Sequence, residues 1–180
     1  VSETAFLTAM RLFGDAKAIH TGRYRFEEGV SLSDIVNRLS SGVVDMGQVR
    51  IPDGVTIWEL RKLVKDCSDL QDKTSTMSAA ELLKALGVEE KHPEGLFAPD
   101  TYKFNAGISD LSFLKTAYER QKLILAEEWE KRENNLKLKS PYEALILASI
   151  IEKETGIHTD RYLVSSVFHN RLKICIIKIY

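Results

Sequence analysis

Residues 140–171 read S-P-Y-E-A-L-I-L-A-S-I-I-E-K-E-T-G-I-H-T-D-R-Y-L-V-S-S-V-F-H-N-R, and the first half of this stretch decides what kind of core the chain builds. Ser140 is a hydroxyl N-cap, Pro141 stands at the first helical position, and Glu143 is spaced to reach back to the cap amide. The helix that starts there carries Ala144, Leu145, Ile146, Leu147, Ala148, Ile150 and Ile151, apolar on nearly every side. Its body is therefore expected inside a core, with Gly156 as its stop. Charge arrives only at the end, as Glu152, Lys153 and Glu154. Residues two apart face different ways on a helix, so the two carboxylates are not equivalent. Glu154 follows Leu147, Ile150 and Ile151 on its face, whereas Glu152 follows Leu145, Ala148 and Ser149. A carboxyl among branched apolar side chains is disfavoured as an anion, the property a general acid needs near neutral pH. The competing reading makes both acids solvated helix-end charges beside Lys153.

Downstream, Thr159 or Asp160 caps a further helix over 161–172, with Leu163, Val164, Val167 and Phe168 expected as its buried face and His169, Asn170 and Arg171 toward its end. Upstream, 110–131 reads as a long amphipathic helix with core candidates Leu111, Leu114, Tyr118, Leu123, Leu125 and Trp129, broken by Asn134 and Asn135. Glu94 to Phe104, E-G-L-F-A-P-D-T-Y-K-F, is punctuated by Gly95 and Pro99 and reads as a short extended path. Acids and an aromatic on such a frame suit a sugar, which stacks on rings and bonds to carboxylates; a structural turn is the plainer reading. Ser78 with Glu81 caps a helix through Leu82, Leu83 and Leu86 that Gly87 stops, and 68–77 is a polar loop. Residues 2–13 form a short amphipathic helix with Ser2 as cap, ended by Gly14 and Asp15.

Between these lies a repetition. Residues 25–35, R-F-E-E-G-V-S-L-S-D-I, align at constant offset with residues 50–60, R-I-P-D-G-V-T-I-W-E-L. Each copy predicts a strand, a glycine turn, a hydroxyl cap with an acid three later, and a helix. Two copies are too few for a solenoid, so a small α+β module is expected.

Composition sets the outer bounds. Lys+Arg 25 against Asp+Glu 26 gives a formal net charge of −1 over 180 residues, with 44% hydrophobic residues. That balance fits a globular chain and excludes recognition of nucleic acid through a basic surface. No apolar run approaches the roughly 18 residues that span a bilayer, and no signal peptide opens the chain. A start at Val1 reads as a segment of a longer product. Cys67 and Cys175 lie far apart and read as free thiols. His158 and His169 lack neighbours at metal-ligand spacing, so no metal and no cofactor is expected.

Three ordered motifs resemble the signatures of the YceG-like family: E-G-L-F-A-P-D-T-Y-K-F at 94–104, L-A-S-I-I-E-K-E-T at 147–155 and V-S-S-V-F-H-N-R-L at 164–172. G-R-Y-R-F at 22–26 is similar to the G-x-Y-x-F of that family's LysM-like region. The resemblance implies an α+β chain: small LysM-like strand and helix modules over 1–70, then a mostly helical, partial catalytic domain over 71–180. It implies an endolytic lytic transglycosylase that cuts the MurNAc-GlcNAc β-1,4 bond of peptidoglycan and leaves 1,6-anhydroMurNAc ends. It places the catalytic glutamate on the second acid of E-K-E-T, Glu154, the residue favoured above on helical spacing. Glu94, Asp100, Tyr102, Glu152, Asn170 and Arg171 are substrate-binding candidates by resemblance and position. The partners implied are glycan strands and the cell-wall synthesis machinery. The location implied is the envelope, outside the cytoplasm, on an N-terminal membrane helix that this chain lacks.

The pattern departs from the family at its end. There the R-L pair is followed by a segment like G-M-x-L-Q-x-D-P-T, whereas Leu172 is followed by K-I-C-I-I-K-I-Y at 173–180, an apolar, β-prone tail. The expectation is an incomplete catalytic domain whose turnover the sequence leaves open. A peptidoglycan-binding or scaffold module without catalysis is the alternative.

Overall fold

Hydroxyl caps at Ser31, Thr56, Ser78 and Ser140 start helices where the sequence puts them, whereas Asp160, at the cap position of the helix over 161–173, makes no side-chain cap hydrogen bond. In the computed structural model, which describes residues 3–13, 23–42, 45–134 and 136–174, Ser31 accepts from the Asp34 amide at 3.2 Å and opens α2 (Leu32–Ser41), which Gly42 ends in the left-handed region. Thr56 opens α3 (Ile57–Asp66) with a closed capping box: its hydroxyl accepts from the Glu59 amide, and the Glu59 carboxylate accepts from the Thr56 amide at 2.8 Å. Ser78 and Glu81 do the same for α4 (Ala79–Leu86), and Gly87 at φ 72° stops it. α1 (Glu3–Phe13) precedes these, and its Phe6 packs with Leu32 against the fully buried Val36 of α2. The expected cap Ser2 and stop Gly14-Asp15 lie outside the described residues.

Among the described residues there are two strands, β1 (Met46–Ile51) and β2 (Asp100–Asn105), paired antiparallel with Gly47 opposite Phe104, Val49 opposite Tyr102 and Ile51 opposite Asp100. Gly47, Val49 and Ile51 alternate inward, as a half-buried strand requires. β2 occupies the second half of the 94–104 stretch, so the extended path expected there is a ladder strand. Residues 23–26 do not form the strand expected from the alternation of Gly22 to Phe26. Arg23 instead donates to the Ala106 carbonyl and accepts from the Asp45 amide, just past the end of the β1–β2 ladder. Gly22 of that motif lies outside the described residues. The rest of the repeat is present. Gly29 and Gly54 both take positive φ, and Ser31 and Thr56 share cap torsions of −71°, 154° and −78°, 158°.

The chain packs as two units, residues 1–94 with 98–117 and residues 95–97 with 118–180; the division falls within α5 (Asp110–Glu130), after Ala117. The LysM-like and catalytic regions divided at residue 70 are drawn by resemblance, not by packing. In the first unit, Val49 and Ile51 join Leu60 and Val64 of α3, Leu82, Leu83 and Leu86 of α4, and Phe113, Leu114 and Ala117 of α5 in the buried set. The Phe113 ring meets Tyr102 and Phe104 edge-on, each at 5.5 Å. The 68–77 segment is a loop, as expected, but a fixed one. The buried Asp110 carboxylate accepts from the Lys73 and Thr74 amides, both at 3.0 Å, and from the Thr74 hydroxyl at 2.6 Å. Arg61 donates to the Thr74 and Met77 carbonyls from the other end.

The second unit holds the remainder of α5, then α6 (Pro141–Glu154) and α7 (Arg161–Lys173), which pack on each other. Here burial falls short of expectation. Of the α6 residues only Leu147 is fully buried, its other large apolar side chains are half-buried, and Ala148 is exposed. On α7, Val164 and Phe168 are half-buried while Leu163 and Val167 are exposed. On the part of α5 that lies in this unit, Leu123 is exposed, contrary to its expected core place. A helix apolar on several sides needs several neighbours, and the helix packing shown among the described residues of this unit is that of α6 on α7. The tail 175–180, with Cys175, and Asn135 lie outside the described residues.

Candidate functional site

The site expected on α6 is built from its two ends. At the start, the Ser140 hydroxyl accepts from the Glu143 amide at 3.2 Å, while the Glu143 carboxylate accepts from the Lys139 amide at 2.6 Å rather than from the cap's own amide. At the finish, the helix runs to Glu154 and closes on Thr155, one residue before the expected stop. The Thr155 amide donates to the Ile151 carbonyl at 3.2 Å, and its hydroxyl accepts from the Ile157 amide at 3.1 Å, which turns the chain toward α7.

The two carboxylates at this end differ in occupation. Glu152 is held by Arg161, the first residue of α7, whose Nη2 lies 2.9 Å from Oε1 and 2.7 Å from Oε2. Glu154 is exposed and makes no hydrogen bond or ion pair among the described residues. The apolar surroundings expected for it are therefore absent: Ile150 and Ile151 are half-buried neighbours in sequence, and water reaches the Glu154 side chain.

Asn170 and Arg171 sit at the far end of α7, about 14 Å along the axis from Arg161 at 1.5 Å per residue. Asn170 lines a cleft of about 200 Å³ with Leu136, Lys137, His169 and Lys173, and the Arg171 guanidinium lies 5.9 Å from the Phe168 ring. Glu94, Asp100 and Tyr102 belong to the first unit. Glu94 accepts from the Ile57 amide at 3.2 Å and so satisfies a donor in the first turn of α3. The Tyr102 hydroxyl donates to the Ala98 carbonyl at 2.8 Å, and the Asp100 carboxylate accepts from the Thr101 amide at 2.7 Å. The intervening Gly95, Leu96 and Phe97 belong to the second unit. Gly95, at φ 75°, lies so close to α6 that a Cβ there would be 3.2 Å from Leu145 Cδ2. The E-G-L-F motif thus meets α6 at Leu145, two residues before the α6 motif begins, which only the structure reveals.

A larger cleft of about 430 Å³ lies in the first unit, lined by Pro52, Asp53, Gly54, Val55, Glu59, Lys62, Leu63 and Asp66. None of the candidate site residues lines it, so its size carries no weight for the chemistry. No group of three or more His, Cys, Asp or Glu is placed to hold a metal among the described residues. Arg161 is the partner of Glu152 that sequence reading missed. Its signal was an unlike charge pair bracketing the turn between two helices, Glu152 before and Arg161 after.

The model of the YceG-like family matches residues 1–177. The chain belongs to the YceG-like family. Among relatives of this YceG-like chain, a Bacillus subtilis (strain 168) protein named endolytic murein transglycosylase is 27% identical over 189 residues, covering 96% of this chain and 52% of its own length. A protein of the same name from Streptococcus pneumoniae serotype 2 (strain D39 / NCTC 7466) is 24% identical over 198 residues, covering 93% and 35%. The chain thus spans about half, or less, of the length of these curated relatives. A 2.6 Å crystal structure of a yceG-like protein from Listeria monocytogenes matches with a TM-score of 0.51 at 21% identity, over 96% of this chain and 62% of that one. That likeness supports the mixed α+β fold of the YceG-like chain.

Proposed function

We propose that this chain cleaves peptidoglycan glycan strands internally by lytic transglycosylation, with Glu154 as the proton carrier. One observation carries the choice of residue. At the end of α6 the Glu152 carboxylate is taken by Arg161, and Glu154 is exposed and unpaired among the described residues, open to a substrate. The names of the Bacillus and Streptococcus relatives support the reaction class.

The chemistry needs one acid where most glycosidases pair two. Protonated Glu154 gives its proton to the glycosidic oxygen as the bond from that oxygen to the muramic acid C1 breaks. The C6 hydroxyl of the same sugar forms the new bond to C1. The Glu154 carboxylate takes the C6 hydroxyl proton, which restores the acid; no water is consumed. Glu154 is solvated in the free protein, so water leaves its carboxyl only when a glycan is laid over it. Asn170 and Arg171 are assigned to substrate contact, with Glu94, Asp100 and Tyr102 supporting local structure as well. The repeated glycine-turn and cap of residues 29–31 and 54–56 supports a LysM-like, glycan-contacting role for region 1–70. Peptidoglycan as substrate places the chain at the cell envelope. Anchoring by a membrane helix remains part of this reading; among the described residues no helix is long and apolar enough to cross a membrane.

The test is the product. Mass spectrometry of glycan strands treated with the chain should reveal 1,6-anhydro ends, and Glu154→Gln should lower their rate of appearance by at least about 10²-fold with unchanged circular dichroism. Undiminished product from Glu154→Gln overturns the assignment. The exposure of Glu154 favours one other reading, a glycan-binding module without turnover; glycan binding by the wild-type chain with no anhydro ends would establish it.

A further inference from the structure

Glu152 and Glu154 share the last turn of α6, and helix ends fray unless something beyond the helix holds them. Beside the Thr155 cap, one side chain from the next helix reaches back to that turn. Arg161 Nη2 contacts both Glu152 oxygens, at 2.9 and 2.7 Å, and Nη1 lies 3.4 Å from His158 Nε2 in the turn between the helices. The guanidinium therefore touches the end of α6 and the connecting turn, and it stands on the first residue of α7.

The arrangement is a poor device for stability alone. The side chains of Arg161 and Glu152 are 31% and 58% exposed, and ion pairs so open to water add little to folding. Meanwhile Arg161 Nε is buried with no hydrogen-bond partner among the described residues, which opposes folding. A bridge that gains little and leaves a donor unmet is better explained by what it holds in place.

We propose that Arg161 is a positioning residue for Glu154: by gripping Glu152 across the α6–α7 turn it fixes the final helical turn from which the acid projects. This rests on Glu154 being the proton carrier. Positioning errors of about 1 Å cost up to roughly 10²-fold in rate without touching the chemistry itself. Arg161→Met should lower kcat roughly tenfold to a hundredfold and leave KM within about twofold, because no substrate contact is removed. Arg161→Lys, which keeps one cation able to meet both oxygens, should restore most of the loss. Both variants should melt within about 2–4 °C of wild type. Amide exchange at Thr155, whose hydrogen bond to Ile151 closes α6, should quicken in Arg161→Met and return toward wild type in Arg161→Lys.

Unchanged kcat in Arg161→Met, or a change confined to KM, overturns the positioning role while leaving Glu154 in place. An active Glu154→Gln, or no anhydro product from wild type, removes the functional reading itself, and the inference with it.

Discussion

Gly47 faces Phe104 across the β1–β2 ladder, and a Cβ built there would sit 2.5 Å from Phe104 Cε2 and 2.8 Å from Asp69 Cβ. A ring can swing aside, but the Cβ of Asp69 moves only with its backbone, so the position admits hydrogen alone. Gly47→Ala should destabilise the fold by about 1–3 kcal/mol in urea titration. Phe104→Leu in the same chain should recover only part, since the Asp69 clash remains. Full recovery, or a stable Gly47→Ala, would show the contact to be slack. Nothing in M-G-Q-V at 46–49 announces this need, because both contacts come from distant parts of the chain. The same limit governs the site. The choice between Glu152 and Glu154 was legible in helical spacing, but the pairing that occupies Glu152 depended on the path of the turn to Arg161. The expected desolvation of Glu154 failed because spacing tells which residues share a face, not whether a second element covers that face.

At the scale of elements, the helix starts were the most legible part of the fold. Ser31, Thr56, Ser78 and Ser140 each accept from the amide three residues on, since cap and amide are local and need no tertiary partner. Glu81 shows how such a box responds to pH. The Ser78 amide, and then the Ser78 hydroxyl, hydrogen-bond its carboxylate and hold its pKa below the ordinary glutamate value. A carboxyl with a depressed folded pKa contributes stability that is whole above about pH 4.3, the value for an unperturbed glutamate, and is lost as pH falls through the lower folded value. The stability advantage of wild type over Glu81→Gln should therefore hold level from pH 7 down to about pH 5 and shrink below about pH 4. An advantage that grows toward pH 3 would contradict the box. Ser78→Ala, which removes the cap hydroxyl, should cost about 1 kcal/mol at pH 7 by chemical denaturation. Strands were less legible: R-Y-R-F alternates as well as β1 does, but a strand exists only where a second one reaches it, and the ladder stops short of Arg23.

For the molecule as a whole, local chemistry yielded the order of helices, while packing was hidden in contacts between residues far apart in sequence, such as 46–51 with 100–105. The clearest consequence is the surface left on α7, where Tyr162 is 82% exposed, Leu163 68% and Val167 46%, with Ile174 at 65% just beyond. Exposed apolar surface drives association, and a formal net charge of −1 offers little repulsion against it. The chain should therefore self-associate reversibly as its concentration rises, seen as a rising weight-average mass in sedimentation. Leu163→Glu with Val167→Glu takes the formal charge from −1 to −3 and removes apolar area at once. Lys115→Glu makes the same change of charge on an exposed residue of α5 and leaves α7 untouched. If the apolar face drives association, the α7 variant becomes monomeric and Lys115→Glu still associates; equal relief from both would assign the effect to charge. Melting should barely move, because exposed substitutions cost within about 0.5 kcal/mol each and a glutamate near the start of α7 favours the helix dipole.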